Sequence, residues 1–473
     1  MTGDRNGLFG LQRPCQILAV RTRRIAVIVA RTDVWVAICA GVLACMSPAA
    51  GAAQQNPFRA WADFVTAPAP YRGPSVPFPD PVERPAASGW RACSELWPVC
   101  VHAPEATQPG RLRGALAALE AAYGWLLAEG WPPPYPDGTL GGSADFDVYL
   151  AHGANSARAL ADAPLWYVSE LDAAATHATL DASLPDAALA RCALDALVQA
   201  GLLAHDPAEP ESARRASAAF AGLLFSGEAG CDDALQEAQG APQLGLLGEG
   251  EAQETSAALL LALLSRRHDG GSGRFVRGMW EAARQRSRGP NALQTLPSFW
   301  QALGRALEQA GESLDAAAIE LALARFSAPS ADGALPRLPA AASIAPRTLA
   351  LATLPKQVLS EEPGLATYGS AYARVELPAA GAGGAQLQVW LRGERGIRWS
   401  LDAVRLDAAG RELGRLTAPP RKLPESFLPV ELTPDTRAVL IAVTALPPEK
   451  PRQPLPAGDD GHHFRLIVDQ RQP

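Results

Sequence analysis

The sequence is poor in lysine, histidine and methionine. Lysine occurs only at Lys356, Lys422 and Lys450, and there are seven histidines and three methionines. The lysine deficit, beside abundant alanine, reads as gene base composition rather than function. Acidic residues outnumber basic ones 49 to 42, a formal charge of −7. That balance excludes a protein that grips nucleic acid mainly through phosphate contacts. Neither H-E-x-x-H nor H-x-x-E-H occurs, so the common helical zinc-ligand pairs are missing. No C-x-x-C occurs, which excludes the usual structural zinc ligand spacing. There is no G-x-S-x-G elbow and no Walker-type phosphate loop. Gly270-Gly271-Ser272-Gly273 reads as a break between helices. Beyond the first fifty or so residues no apolar run is long enough to span a bilayer; Ala257 to Leu264 suits a core helix.

What is present points to an exported protein of several domains. A chain of 473 residues exceeds what one hydrophobic core organises, and 48% hydrophobic with 19% charged residues is a globular balance. Arg5, Arg13, Arg21, Arg23, Arg24 and Arg31 precede the uncharged run Val34 to Met46, and Ala50-Gly51-Ala52 follows as a small-residue cleavage site. This order predicts a signal peptide over residues 1–53 with a long basic n-region. Two alternatives stay open. Val34 to Ala53 could remain as an anchor, against Pro48, or Cys45 could carry lipid, against Leu43. Removing 1–53 takes six arginines and two aspartates and leaves −11. The expected destination is the periplasm or the exterior, with no span in the mature chain.

Cys93, Cys100, Cys192 and Cys231 remain after the signal. Four cysteines allow three pairings. We expect Cys93–Cys100 as a local loop and Cys192–Cys231 as a tie between helices.

The organisation follows from proline and periodicity. Residues 54–88 carry eight prolines and read as an extended tether. Residues 89–330 read as a mainly helical domain with a small sheet. Strands are expected around Val99, over Phe146 to Leu150, around Trp166 and over Thr176 to Leu180. The helix from Asp186 to Ala204 is apolar around most of its circumference, with Arg191, Asp195 and Gln199 as one polar stripe, so it reads as a buried core helix. Ser183 and Asp186 suggest a capping box, and Asp206, Pro207 and Glu209 suggest the start of the next helix. Residues 331–365 read as a proline-rich linker. Residues 366–473 hold about seven segments of period two, the pattern of an antiparallel β-sandwich. The fold class is α+β.

Several residues offer chemistry, and each also has a structural reading. His205, Asp206 and Glu209 resemble a ligand set, but helix ends and caps account for them. Asp145 and Asp147 share a strand face and could serve acid–base work or bind calcium; a solvated strand edge explains them as well. His462 and His463, with Asp459 and Asp460, form a turn that could bind an ion. Trp390 and Trp399, with the arginine-rich turn Arg392 to Arg398, could form a sugar or peptide site on the sandwich, or the rings could belong to its core or rim.

The order strand, strand, buried helix, helical tail and sandwich resembles secreted zinc peptidases of the zincin class. Cys192 to Gln199 reads CALDALVQ; aligned on Gln199, the ligand, base and second-ligand positions of that family fall on Cys192, Ala193 and Ala196. Ala306 to Phe326 and Thr367 to Leu377 resemble the family's helical tail and sandwich opening. The resemblance implies a zincin-like fold over residues 90 to 446. Alanine neither binds metal nor takes a proton, and the next helix offers Arg214 and Arg215 where a carboxylate ligand is expected. Without ligands there is no activated water. The expectation is therefore a pseudo-peptidase scaffold: no catalytic, metal or cofactor-binding residue, no cofactor, and an unidentified protein or cell-envelope partner. Two alternatives are a hydrolase using displaced residues (Asp195, His205, or Asp145 with Asp147) and a glycan-binding protein acting through the sandwich.

Overall fold

The computed structural model describes residues 75–85, 89–104, 106–152, 157–165, 170–232, 234–248, 250–289, 292–327, 344–361, 364–378, 384–418, 425–448 and 461–471. All belong to one unit, Trp61–Pro473. The expected export signal, with Cys45, lies outside them.

The front half opens with β1 (Ser75–Val76), β2 (Gly89–Cys93), β3 (Val99–Pro104), α1 (Pro109–Glu129), β4 (Phe146–Ala151), β5 (Ala157–Pro164) and β6 (Ala174–Asp181). It continues with α2 (Asp186–His205), α3 (Glu211–Phe225), α4 (Leu235–Gly240), α5 (Glu251–Asp269), α6 (Arg274–Ala283), β7 (Leu293–Gln294), α7 (Phe299–Gln309) and α8 (Leu314–Ser327). A mixed sheet runs in the order β2-β3-β4-β6-β5. Side chains alternate across a strand. Val99, Val101, Phe146, Val148, Ala178 and Leu180 therefore form one apolar face, packed in a single core with residues of α1 and α2. Helix α2 is buried along most of its length, including Cys192, Ala193 and Ala196. It is the one described helix long and apolar enough to cross a membrane, and it is a core helix.

Local signals were partly misplaced. No side chain caps α2; Asp181 instead accepts from the Ser183 amide and hydroxyl. The helix expected from Asp206 begins at Glu211, because Asp206 and Glu209 are drawn inward. Glu209 Oε1 accepts from the Phe299 amide at 2.8 Å, at the start of α7. The strand expected around Trp166 falls on residues 166–169, outside the described set, and β5, just before it, was not expected.

The back half comprises β8 (Arg347–Ala350), β9 (Lys356–Leu359), β10 (Ser370–Glu376), β11 (Gln386–Gly393), β12 (Arg398–Leu406), β13 (Glu412–Thr417), β14 (Glu425–Glu431), β15 (Ala438–Leu446) and β16 (Phe464–Arg471). They form two facing sheets, β13-β12-β15-β10-β8 and β14-β11-β16-β9, around a shared apolar core. Strands β8 and β9 fall inside the stretch expected to be linker; one buried residue each, Leu349 and Val358, is too weak a pattern to read. Helix α8 packs on the outer side of the five-stranded sheet, where Leu323 meets Tyr372, Val404 and Leu440. Tyr368 donates to Asp315, and Arg398 pairs with Asp315 at 2.6 Å, so polar contacts also join the halves.

Cys93 is bonded to Cys100 and Cys192 to Cys231. Disulfides of this kind fit an oxidising compartment.

Candidate functional site

The face of the front sheet turned away from α2 is polar. His102 on β3, Asp147 and Tyr149 on β4 and His177 on β6 sit at the alternate positions, between the residues that face the helices. Asp162 is the extra residue of a bulge in β5, between Ala161 and Ala163. Bulges re-aim side chains. Across this face runs the strap, residues 75–85, tied by the β1–β7 pairing.

The strap delivers Arg84 into a cradle of three carboxylates. Its Nε and Nη2 donate to Asp162 at 3.0 and 2.5 Å. Nη1 donates to Asp147 Oδ2 at 2.6 Å, and Nη2 also to Asp137 Oδ2 at 2.5 Å. His102 Nε2 lies 2.7 Å from Asp147 Oδ1, and His177 Nδ1 2.7 Å from Asp162 Oδ1. Tyr149 stacks on His102 and meets His177 edge-on. The carboxylates of Asp137 and Asp147 are fully buried, and the Arg84 side chain is 12% exposed. Asp137 Oδ1 and His177 Nε2 are buried without a hydrogen-bond partner. Burial raises the Asp137 carboxyl above its usual range, only partly offset by Arg84. Burial also works on Asp162, yet hydrogen bonds from His177 and Arg84 hold that carboxyl below its usual range.

The loop from Gly138 to Gly142 closes over this cluster. A Cβ at Gly141 would overlap the Asp147 carboxylate and crowd Arg84. Gly141→Ala is therefore expected to destabilise the chain by about 1–3 kcal/mol, read as a lower urea midpoint with an unchanged slope.

The expectation of a solvated edge for Asp145 and Asp147 is corrected here. Strand β4 is the central strand of the sheet, so Asp147 is buried. Asp145 precedes the strand and lies 3.4 Å from Cys100 Sγ. Cys93, Cys100 and Asp145 cluster at ligand spacing, but both sulfurs are spent in their disulfide.

On the other side of α2, Asp195 lines a narrow crevice of about 30 Å³ with Arg215, Cys231 and Asp232. Gln199 donates to Asp195 at 3.2 Å, and Arg215 pairs with Glu254 at 3.0 Å. Burial pushes the Asp195 carboxyl up to about 7, against the pull of Arg215. A carboxyl raised from 3.8 to about 7 stabilises the fold fully below the lower value and loses that contribution as pH rises through the higher. Asp195→Asn is expected to flatten the decline of unfolding free energy across this window by up to one proton of slope, measured by urea titration from pH 4 to 8.

The helix dipole does not govern His205. Its ring stacks on Tyr135, and its Nε2 lies 3.2 Å from the Pro133 carbonyl. Burial pulls its pKa down to about 4, so it is neutral at pH 7. Asp195 and His205 stand ten positions apart on α2, about 15 Å, and Asp147 lies across the sheet. The structure does not bring these displaced candidates together.

The sandwich offers a second surface. Leu387, Val389, Leu391, Leu428, Val430, Leu466 and Val468 point into its core. Their alternates on the four-stranded sheet face outward. Strand pairing aligns Phe427, Trp390, Ile467 and Gln357 in one row across the strands. Trp390 and Phe427 have ring centroids 5.3 Å apart. The next rows hold Pro429, Gln388 and Asp469 on one side, and Glu425, Arg392, Arg465 and Leu359 on the other. At normal strand spacing the central row is about 14 Å long. Trp390, Phe427 and Ile467 are half-buried, whereas Trp399 is a core residue at 5% exposure. His462 Nδ1 lies 3.4 Å from Glu394, and His463 Nδ1 3.1 Å from Ser360; Asp459 and Asp460 lie outside the described residues.

No protein-family model matches the chain, and a search of curated proteins returns no match. Among solved structures the chain is similar to a pre-peptidase C-terminal domain of a collagenase from Bacillus anthracis, at 6% identity over 27% of this chain and 95% of that one, with a TM-score of 0.18. It is also similar to TmCBM61, solved with β-1,4-galactotriose, at 18% identity over 22% of this chain and 62% of that one, TM-score 0.15. A third likeness is to the CBM22-1–GH10 modules of a Clostridium thermocellum xylanase, at 12% identity, 25% of each chain and TM-score 0.16. Likenesses this slight carry no argument about ligand or activity. No zincin is among them.

Proposed function

We propose that the chain is an exported binding protein without hydrolytic chemistry, whose sandwich holds a glycan chain of the cell envelope on its open face. The front half is then a zincin-like scaffold. The observation that carries this reading is the row Phe427–Trp390–Ile467, an apolar strip flanked by Gln388, Asp469, Arg392 and Arg465. Half-exposed aromatic rings offer a flat apolar surface, and the flanking groups offer donors and acceptors for hydroxyls. The two signs of charge beside the strip suit a neutral polymer better than a polyanion. In support of the scaffold reading, Cys192 is held in a disulfide, and Ala193 and Ala196 are wholly buried.

Trp390→Ala is expected to weaken binding on a glycan array or to an insoluble polysaccharide about tenfold or more while the melting temperature stays within a few degrees. Failure of the parent chain to bind any glycan, or undiminished binding by the variant, would sink the reading.

A further inference from the structure

We propose that the Arg84 cradle is a divalent-cation site held shut by the chain's own guanidinium, so that an ion such as Zn²⁺ competes with the strap for it. This does not rest on the glycan reading. Carboxylates from the 131–145 loop, β4 and the β5 bulge converge on one cation, with imidazoles from β3 and β6 bonded to two of them. Carboxylate and imidazole together suit zinc or manganese. One guanidinium faces three carboxylates, and buried Asp137 Oδ1 has no partner at all. A divalent ion could be ligated by all three carboxylates at once, which its small size and double charge favour.

The occupant is removable because it belongs to the strap. Besides Arg84, the strap is held by the two-residue pairing Ser75↔Gln294 and Val76↔Leu293, by the Val82 amide bonding Ala161 O at 3.4 Å, and by one apolar anchor, half-buried Phe78 against the main core. Withdrawal of those eleven residues would leave the three carboxylates and two imidazoles on the strands and loop that carry them. Ion binding and strap release are then two sides of one equilibrium.

The test uses the full chain with Arg84→Ala. Equilibrium dialysis with metal analysis is expected to give one Zn²⁺ per chain, bound about 100-fold more tightly than by the parent. Adding Asp147→Asn to that variant should abolish the gain; a surface histidine site would keep it. A folded Arg84→Ala chain that takes up no zinc, or a gain that survives Asp147→Asn, overturns the proposal. Should Arg84→Ala not fold, the parent decides: zinc is expected to speed cleavage of residues 75–85 by a non-specific protease about fivefold or more. An unchanged rate overturns it equally.

Discussion

Arg84→Met is expected to lower the unfolding free energy by about 3–5 kcal/mol. Methionine keeps much of the side-chain volume and removes the charge, so the loss reports the three carboxylates left without their cation. Two of them, Asp137 and Asp147, have no exposed side-chain surface on which water could replace it. Arg84→Lys should recover only part of the loss. An ammonium has no planar fork and cannot serve Asp137, Asp147 and Asp162 together. Removal of single carboxylates should rank by the bonds each makes. Asp162 accepts from two Arg84 nitrogens and pairs with His177, whereas Asp137 accepts from one nitrogen. Asp162→Ala is thus expected to be worse than Asp137→Ala. Urea titrations of the four variants at one pH settle the order. A loss below about 1 kcal/mol for Arg84→Met, the range of a surface pair, would show that Arg84 does not pin the strap to the cradle.

The cradle was invisible in the sequence for a physical reason. Its members come from positions 84, 102, 137, 147, 162 and 177, with no fixed spacing, and strand order, one loop and the strap together assemble them. A faint signal exists. VCVHA and FDVYL each place ionisable side chains between buried apolar ones, and ATHAT sets His177 between buried Thr176 and Ala178. That pattern marks a two-faced strand, but period two cannot say whether the polar face meets water or a strap. Arg84 itself sat in a segment whose prolines suggested an extended tether; they gave no sign of β1 or of docking. The sandwich was far more legible. Strands β11, β12 and β16 fall within the stretch of period-two segments expected over residues 366–473, because burial on one face enforces alternation. Helix α2 was legible too, since an apolar circumference leaves little choice but burial. The roles of Trp390 and Trp399 were not separable: they lie on facing sheets, and only the strand pairing shows which ring turns outward.

Replacing Cys192 and Cys231 together by alanine is expected to cost about 4 kcal/mol, the loop-closure entropy released when a bond spanning some forty residues is lost. The bond separates its partners by 39 positions and fastens α2 to the turn after α3. Both residues are nearly or wholly buried, so the loss also leaves a small cavity. The turn has a second set of ties to α2: Arg191 Nε donates to the Cys231 carbonyl at 3.0 Å and its guanidinium pairs with Glu228. These should hold the turn near its place in the folded state, so the double variant loses stability without losing structure. The Cys93–Cys100 bond makes the contrast. It closes only seven positions, between residues that β2 and β3 already place opposite each other. The same entropy argument gives it about 2.4 kcal/mol, and Cys93→Ala/Cys100→Ala should fall near that smaller figure. The measurement is urea unfolding of both double variants beside the oxidised parent, with the slope compared as well as the midpoint. Equal losses would mean that the unfolded chain does not gain freedom in proportion to the loop released. A larger loss at Cys93–Cys100 would place the vulnerable joint at the sheet edge instead of at the core helix.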